Sequence, residues 1–145
     1  YPDRVDEKEI VRRVAKGSHI PVDTVINADQ IADARKAVAN IRLEDEVLDY
    51  IVELTFATRE PSNYGLSHFD SLIEYGASPR ATIFLTRTSR ARAFLQGRDY
   101  VMPDDVKAMA PKVMRHRLRT TYEADARGID PDQLVTQLLE AVPAP

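Results

Sequence analysis

The sequence predicts an all-α fold, a small helical bundle of about six helices with one long loop. Three observations predict it. Apolar residues recur at steps of three and four along nearly the whole chain. The runs open on cap residues and prolines and close on glycines. The length of 145 residues suits a single domain, which can bury roughly 70% of its unfolded surface without a disulfide or metal staple.

Asp3 caps a first helix expected to run to about Lys16, with Glu7 and Glu9 near its positive end and Ile10, Val11 and Val14 as a short apolar stripe. Gly17 stops it, and 19–26, with Pro21, reads as an extended connector. Asn27 caps a second helix, with Gln30 as the reciprocal partner of a capping box. Ile31, Ala34, Val38 and Ile41 mark its inward face. Glu44, Asp45 and Glu46 open a third helix, whose stripe of Val47, Leu48, Ile51, Leu54, Thr55 and Thr58 ends before Pro61.

Residues 61–77 lack a long period, and Pro61, Ser62, Asn63, Gly65 and Gly76 punctuate them. They read as a loop with one short helical turn, of a length that is often functional. Ser78-Pro79 starts a helix expected to reach about Gln96, with Ala81, Phe84, Leu85, Thr88, Ala91 and Leu95 inward and Gly97 as its stop. Pro103-Asp104-Asp105 opens the next, with Val106, Met109 and Val113 inward and Pro111 expected to break or kink it. Residues 117–123 read as a short strand or extended piece. Asp130-Pro131 with Gln133 starts the last helix, carrying Leu134, Leu138, Leu139 and Val142, and 142–145 is an extended tail.

Composition narrows the chemistry. With no cysteine there is no disulfide, thiolate nucleophile or thiolate metal site, which fits a cytoplasmic setting. No apolar run reaches the length of about 18 residues that would read as a membrane span. The net charge of −3, and basic residues that do not interleave with aromatics, argue against nucleic acid as a partner. His19, His68 and His116 have no ligand-type neighbour at metal spacing, so no metal site is expected. The carboxylates at 44–46 and 104–105 sit at helix starts, where the helix dipole accounts for them. No serine lies in a nucleophile elbow, and no G-x-x-x-x-G-K-[ST] loop is present.

Arginines are the informative set. Arg80, Arg87, Arg90 and Arg92 share one helix, and Lys112, Arg115, His116, Arg117 and Arg119 form a second group. For most of them a solvated face is a sufficient account. Arg80 differs, because it stands in the first turn after Ser78-Pro79. There, backbone N–H groups and the dipole already favour an anion, and guanidinium adds a planar fork suited to phosphate.

Further motifs are more specific. Glu74-Tyr75-Gly76-Ala77-Ser78-Pro79-Arg80-Ala81, Ala91-Arg92-Ala93, Gly97-Arg98-Asp99-Tyr100-Val101, Pro103-Asp104-Asp105-Val106-Lys107 and Arg115-His116-Arg117-Leu118 occur in order. Together they resemble the C-terminal helical lid domain of MoxR-family AAA+ ATPases. Asp49-Tyr50-Ile51-Val52, Thr58-Arg59 and Thr121-Tyr122-Glu123-Ala124 extend the likeness, leaving 61–73 as its weakest part. One departure is Met102, where the family often carries Thr or Ser, so a side-chain helix cap worth about 1 kcal/mol is expected to be lost.

The resemblance implies that 1–145 is a single lid domain, a fragment lacking the large nucleotide-binding domain, with 1–2 at the hinge from that missing core. The start at Tyr1 rather than methionine accords with this expectation. It implies a parent that hydrolyses ATP with Mg²⁺, both bound mainly by the large domain, while this piece alone is not catalytic. The sensor-2 arginine falls on Arg80, and Ser78, Pro79, Arg80 and Ala81 form the lid's side of the nucleotide site. Implied partners are the chain's own large domain, neighbouring subunits of a ring, usually hexameric, von Willebrand factor A-type proteins and client complexes. The implied role is chaperone-like maturation or metal-cofactor insertion. The alternative is a stand-alone helical interaction module without nucleotide chemistry, whose apolar patch would be sought in 61–73.

Overall fold

The computed structural model describes residues 1–15 and 22–145. The expectations for Gly17, His19 and Pro21 therefore lie outside the described residues. The chain divides into two compact units, Tyr1–Ala32 and Asp33–Pro145.

In the first unit α1 spans Arg4–Ala15. Asp3 caps it, its Oδ1 accepting the N–H groups of Val5 at 2.8 Å and Asp6 at 2.9 Å. The Asn27–Gln30 capping box is formed in both directions, each bond 2.9 Å, and opens α2 (Ala28–Ala39), which belongs to the second unit from Asp33 onward. The stripe expected on α2 is not a buried one. Ile31 is exposed, Ala34 and Val38 are half-buried, and only Ile41, beyond the helix end, joins the core.

The second unit is a helical bundle around one apolar core. α3 (Asp45–Ala57) buries Val47, Tyr50, Ile51, Leu54, Thr55 and Ala57. α4 (Pro79–Leu95) and α5 (Pro103–Met114) pack against each other and against α3. α6 (Tyr122–Ala126) is a short helix, and α7 (Pro131–Ala141) docks on α3 and α5 through Leu134, Val135 and Leu138. The Asp130–Gln133 capping box is present, at 2.8 and 3.0 Å. Gly97 follows α4 at φ 71°, in the left-handed region where glycine avoids a Cβ clash.

Several expectations are corrected. Residues 61–77 are not a loop with one turn. They fold as two 3₁₀ turns, Pro61–Tyr64 and Ser67–Ser71, followed by strand β1 (Ile73–Tyr75). β1 pairs antiparallel with β2 (Arg119–Thr120), which gives the extended piece near 119 its partner. The apolar residues Leu66, Phe69 and Leu72 are all buried, so this segment closes the core rather than offering a patch.

On α4 the buried face steps by four through Ala81, Leu85, Ser89 and Ala93. Phe84 and Leu95, expected inward, are 38% and 78% exposed, and on α3 Leu48 is exposed. Pro111 does not end α5, which continues to Met114. It stands in the last turn, so it removes one ladder bond there, and the buried Ala110, Val113 and Met114 hold the turn in place.

Candidate functional site

The site is built where the C-terminal end of α3 meets the first turn of α4. Ser78 is the N-cap of α4, with extended φ −77° and ψ 169°, and Pro79 takes the first helical position. The Ser78 hydroxyl makes no cap bond to the helix. The Ala81 N–H donates instead to the Ser78 carbonyl at 2.8 Å. Ser78, Pro79 and Arg80 are exposed, whereas Ala81 is fully buried and its N–H is committed to Ser78. Among the described residues Arg80 has no ion pair and no side-chain hydrogen bond.

The turn before α4 is gripped from α3. Thr58, 1% exposed, accepts the Ala77 N–H on its Oγ1 at 2.8 Å and donates its own proton to the Thr55 carbonyl at 2.7 Å. Arg59 donates from Nε to the Ala77 carbonyl at 2.7 Å, and its guanidinium lies 5.1 Å from the Phe56 ring centroid. Gly76 passes so close that a Cβ there would stand 2.5 Å from the Thr58 carbonyl oxygen. One turn into α4, Thr82 donates to the Thr55 hydroxyl at 3.1 Å.

The remaining arginines of α4 divide. Arg87 lies over the exposed Phe84 ring at 6.0 Å, and Arg117 covers it at 4.8 Å. Arg92 turns inward, its Nε 3.3 Å from Asp105. No acidic residue occurs in α4, so every charged side chain on it is basic. Arg115 pairs with Asp132 at 3.5 Å, and Arg119 with Glu74 at 2.8 Å.

Asp105 carries a role that its position in an acidic helix start did not disclose. It is 1% exposed and accepts Arg98 in a bidentate fork and the Met102 N–H at 2.9 Å. Burial pushes its carboxyl up, but the hydrogen bonds of Arg98 and Met102, with the charges of Arg98 and Arg92, outweigh this and hold it below the usual carboxylate range. Met102 makes no side-chain cap bond, as expected, and Asp105 supplies the reciprocal half of the box. The available signal was Pro103 at the first helical position with an acid two residues on, the pattern of a box partner.

Two tyrosines are perturbed. Burial and then the charge of Asp104 raise the Tyr50 phenol, and the Tyr64 phenol is pushed up to about 12 by burial, by its hydrogen bond to Glu53 and by the charges of Glu53 and Glu60. His68 meets Gln137 at 3.1 Å and His116 meets Arg117. Among the described residues no three His, Asp or Glu side chains gather as a metal site, and no helix is long and apolar enough to cross a membrane.

Comparison with known proteins bears on this geometry. The AAA lid domain family matches residues 67–138. The whole chain is 35% identical to Chaperone MoxR1 of Mycobacterium tuberculosis, covering 38% of it. Over 83% of its length it is 38% identical to Protein MoxR of Methylorubrum extorquens, covering 37% of that protein. The chain thus spans well under half the length of these relatives. A solved structure of an assigned ATPase from Cytophaga hutchinsonii superposes with a TM-score of 0.89 at 37% identity, over all of this chain and 44% of the other. The matched stretch takes in the turn at Phe69, the α4 start and the α5–α7 packing, and the chain belongs to the MoxR-type AAA+ family, whose helical lid domain it carries.

Proposed function

We propose that this lid closes over ATP held mainly by a large nucleotide-binding domain, and that Arg80 is its sensor-2 residue. One observation carries the reading. Arg80 stands in the first turn of α4, exposed and unmatched by any acid among the described residues, on a helix that contains no acid at all. A permanently charged fork in that position is available to a phosphate oxygen. Ser78 and Pro79 would form the rim around it, and Ala81, buried with its N–H on the Ser78 carbonyl, would seat the turn from beneath. Bound ATP and Mg²⁺ would supply the phosphoryl group and its counter-charge. The chain's own part is to carry Arg80 toward charge that develops on that group as the lid closes.

Ring assembly with neighbouring subunits, usually as a hexamer, and a cytoplasmic chaperone-like role are part of the same reading. So are maturation or metal-cofactor insertion of client complexes and von Willebrand factor A-type partners. The family resemblance supports them, and one relative is named a chaperone. The test is ATP hydrolysis by the protein in which this lid adjoins a nucleotide-binding domain. Arg80→Ala should lower kcat by about 10²–10³, the usual cost of removing one transition-state donor. Unchanged turnover would overturn the assignment.

One observation favours the alternative, a helical interaction module without nucleotide chemistry. Phe84 and Leu95 leave apolar surface on α4 exposed. An ATP titration of the intact parent protein separates the readings, since the module predicts no saturable binding.

A further inference from the structure

We infer that Thr58 and Arg59 are positioning residues for Arg80: from the end of α3 they hold Ala77 by both of its backbone polar groups and so set where α4 begins. The inference rests on the phosphate-facing reading of Arg80 proposed above.

α4 has only part of the local device that fixes a helix start. Pro79 presets the backbone of the first helical position, but the Ser78 side chain caps none of the N–H groups that follow. The remaining fixing contacts come from another helix. The Thr58 hydroxyl commits its proton to the Thr55 carbonyl, which leaves an oxygen lone pair for the Ala77 N–H. Arg59 Nε takes the Ala77 carbonyl at 2.7 Å. Ala77 is fully buried, so both of its polar groups depend on these partners rather than on water.

The approach is closed on the third side by Gly76, which leaves no room for a Cβ against the Thr58 carbonyl. The Thr82–Thr55 contact repeats the link one turn further on, and Thr55 itself donates to the Ile51 carbonyl at 3.1 Å. Arg80 follows Ala77 by three residues, so its Cα moves with the clamp. A displacement of about 1 Å at a reacting group can cost on the order of 10²-fold in rate. A long side chain absorbs part of such a shift, so a smaller loss is expected here.

Two measurements test this. In the present chain, amide exchange at Ala77 should accelerate by on the order of tenfold or more in Thr58→Val and stay near the parent rate in Thr58→Ser, which keeps the acceptor. In the protein with its nucleotide-binding domain, Thr58→Val and Arg59→Met should each lower kcat by on the order of tenfold with KM changed little. Thr58→Ser should restore turnover. Placed on an Arg80→Ala background, Thr58→Val should cause no further loss, because the residue it positions is gone. If Thr58→Val does not fold, Arg59→Met carries the test, since it keeps an aliphatic stem over Phe56 and acts from an exposed position. Normal kcat in both variants alongside an impaired Arg80→Ala would overturn the inference and leave the Arg80 reading intact. So would a loss that adds in full on the Arg80→Ala background, or a serine that fails to restore turnover. An Arg80→Ala protein with normal turnover would bring down both.

Discussion

Arg98 and Asp105 meet fork to fork: Nη1 donates to Oδ2 at 2.8 Å and Nη2 to Oδ1 at 2.6 Å, around a carboxylate that is 1% exposed. The pair ties the loop after α4 to the first turn of α5, and Arg92 and the Met102 N–H complete the shell. A buried carboxylate with several donors is costly to disturb, because its partners lose a charged acceptor that water cannot replace.

Asp105→Asn should therefore destabilise the chain by about 2 kcal/mol at neutral pH, read from urea unfolding. The deficit should depend on pH. The folded carboxyl titrates below the unfolded value of about 3.9, so the ionised group stabilises above that value. The contribution fades as pH falls through the folded pKa. Parent and variant should thus converge in acid, and a gap that stays constant from pH 7 to pH 3 would contradict this account.

Met102 takes the N-cap backbone geometry, φ −107° and ψ 156°, without a side-chain acceptor. Met102→Ser should add a cap and raise stability by about 1 kcal/mol. A variant less stable than the parent in thermal melts would show that the methionine has a packing role that outweighs the cap.

Gly76 has a different constraint. Gly76→Ala places a Cβ 2.5 Å from the Thr58 carbonyl oxygen, a backbone atom that cannot swing aside. The expected cost is about 1–3 kcal/mol, the range for overpacking. A crystal structure or NMR of the variant should show Ala77 displaced from Thr58.

Phe69 anchors the turn Ser67–Ser71 in the core at zero exposure, with His68 edge-on to its ring at 4.7 Å. Phe69→Ala should cost about 3–5 kcal/mol. A loss below about 1 kcal/mol in chemical denaturation would mean that 61–77 behaves as the loop its composition suggests.

Arg80→Ala should leave this chain's melting temperature within about 2 °C of the parent, as exposed substitutions outside special contacts usually do. That outcome in a thermal scan is needed before any loss of ATP hydrolysis is read as a loss of phosphate contact. A large drop would instead point to a structural partner for Arg80.

The parts legible in the sequence are those written within one turn of the chain. The capping boxes of Asn27 with Gln30 and of Asp130 with Gln133, the Ser78-Pro79 start and the Gly97 stop all join residues at most four positions apart. Their chemistry is local, so composition and spacing suffice to place them. Arg80 is legible in the same way, from its place in a first turn, while its family role rests on motif resemblance. Segments without local periodicity were harder to read. Phe69 and its neighbours pack by 3₁₀ turns that carry no long repeat, and β1 becomes a strand only because β2, some 45 residues later, supplies its partner.

The sequence by itself determined the helical class, most helix starts, the family and the arginine to examine. Tertiary structure alone decided which faces are buried, that Asp105 is locked beneath Arg98, and that Thr58 and Arg59 hold the start of α4. Those contacts join residues 7 to 19 positions apart across turns and between helices. Their strength comes from exclusion of water at the meeting point, and that exclusion exists only once the helices have packed.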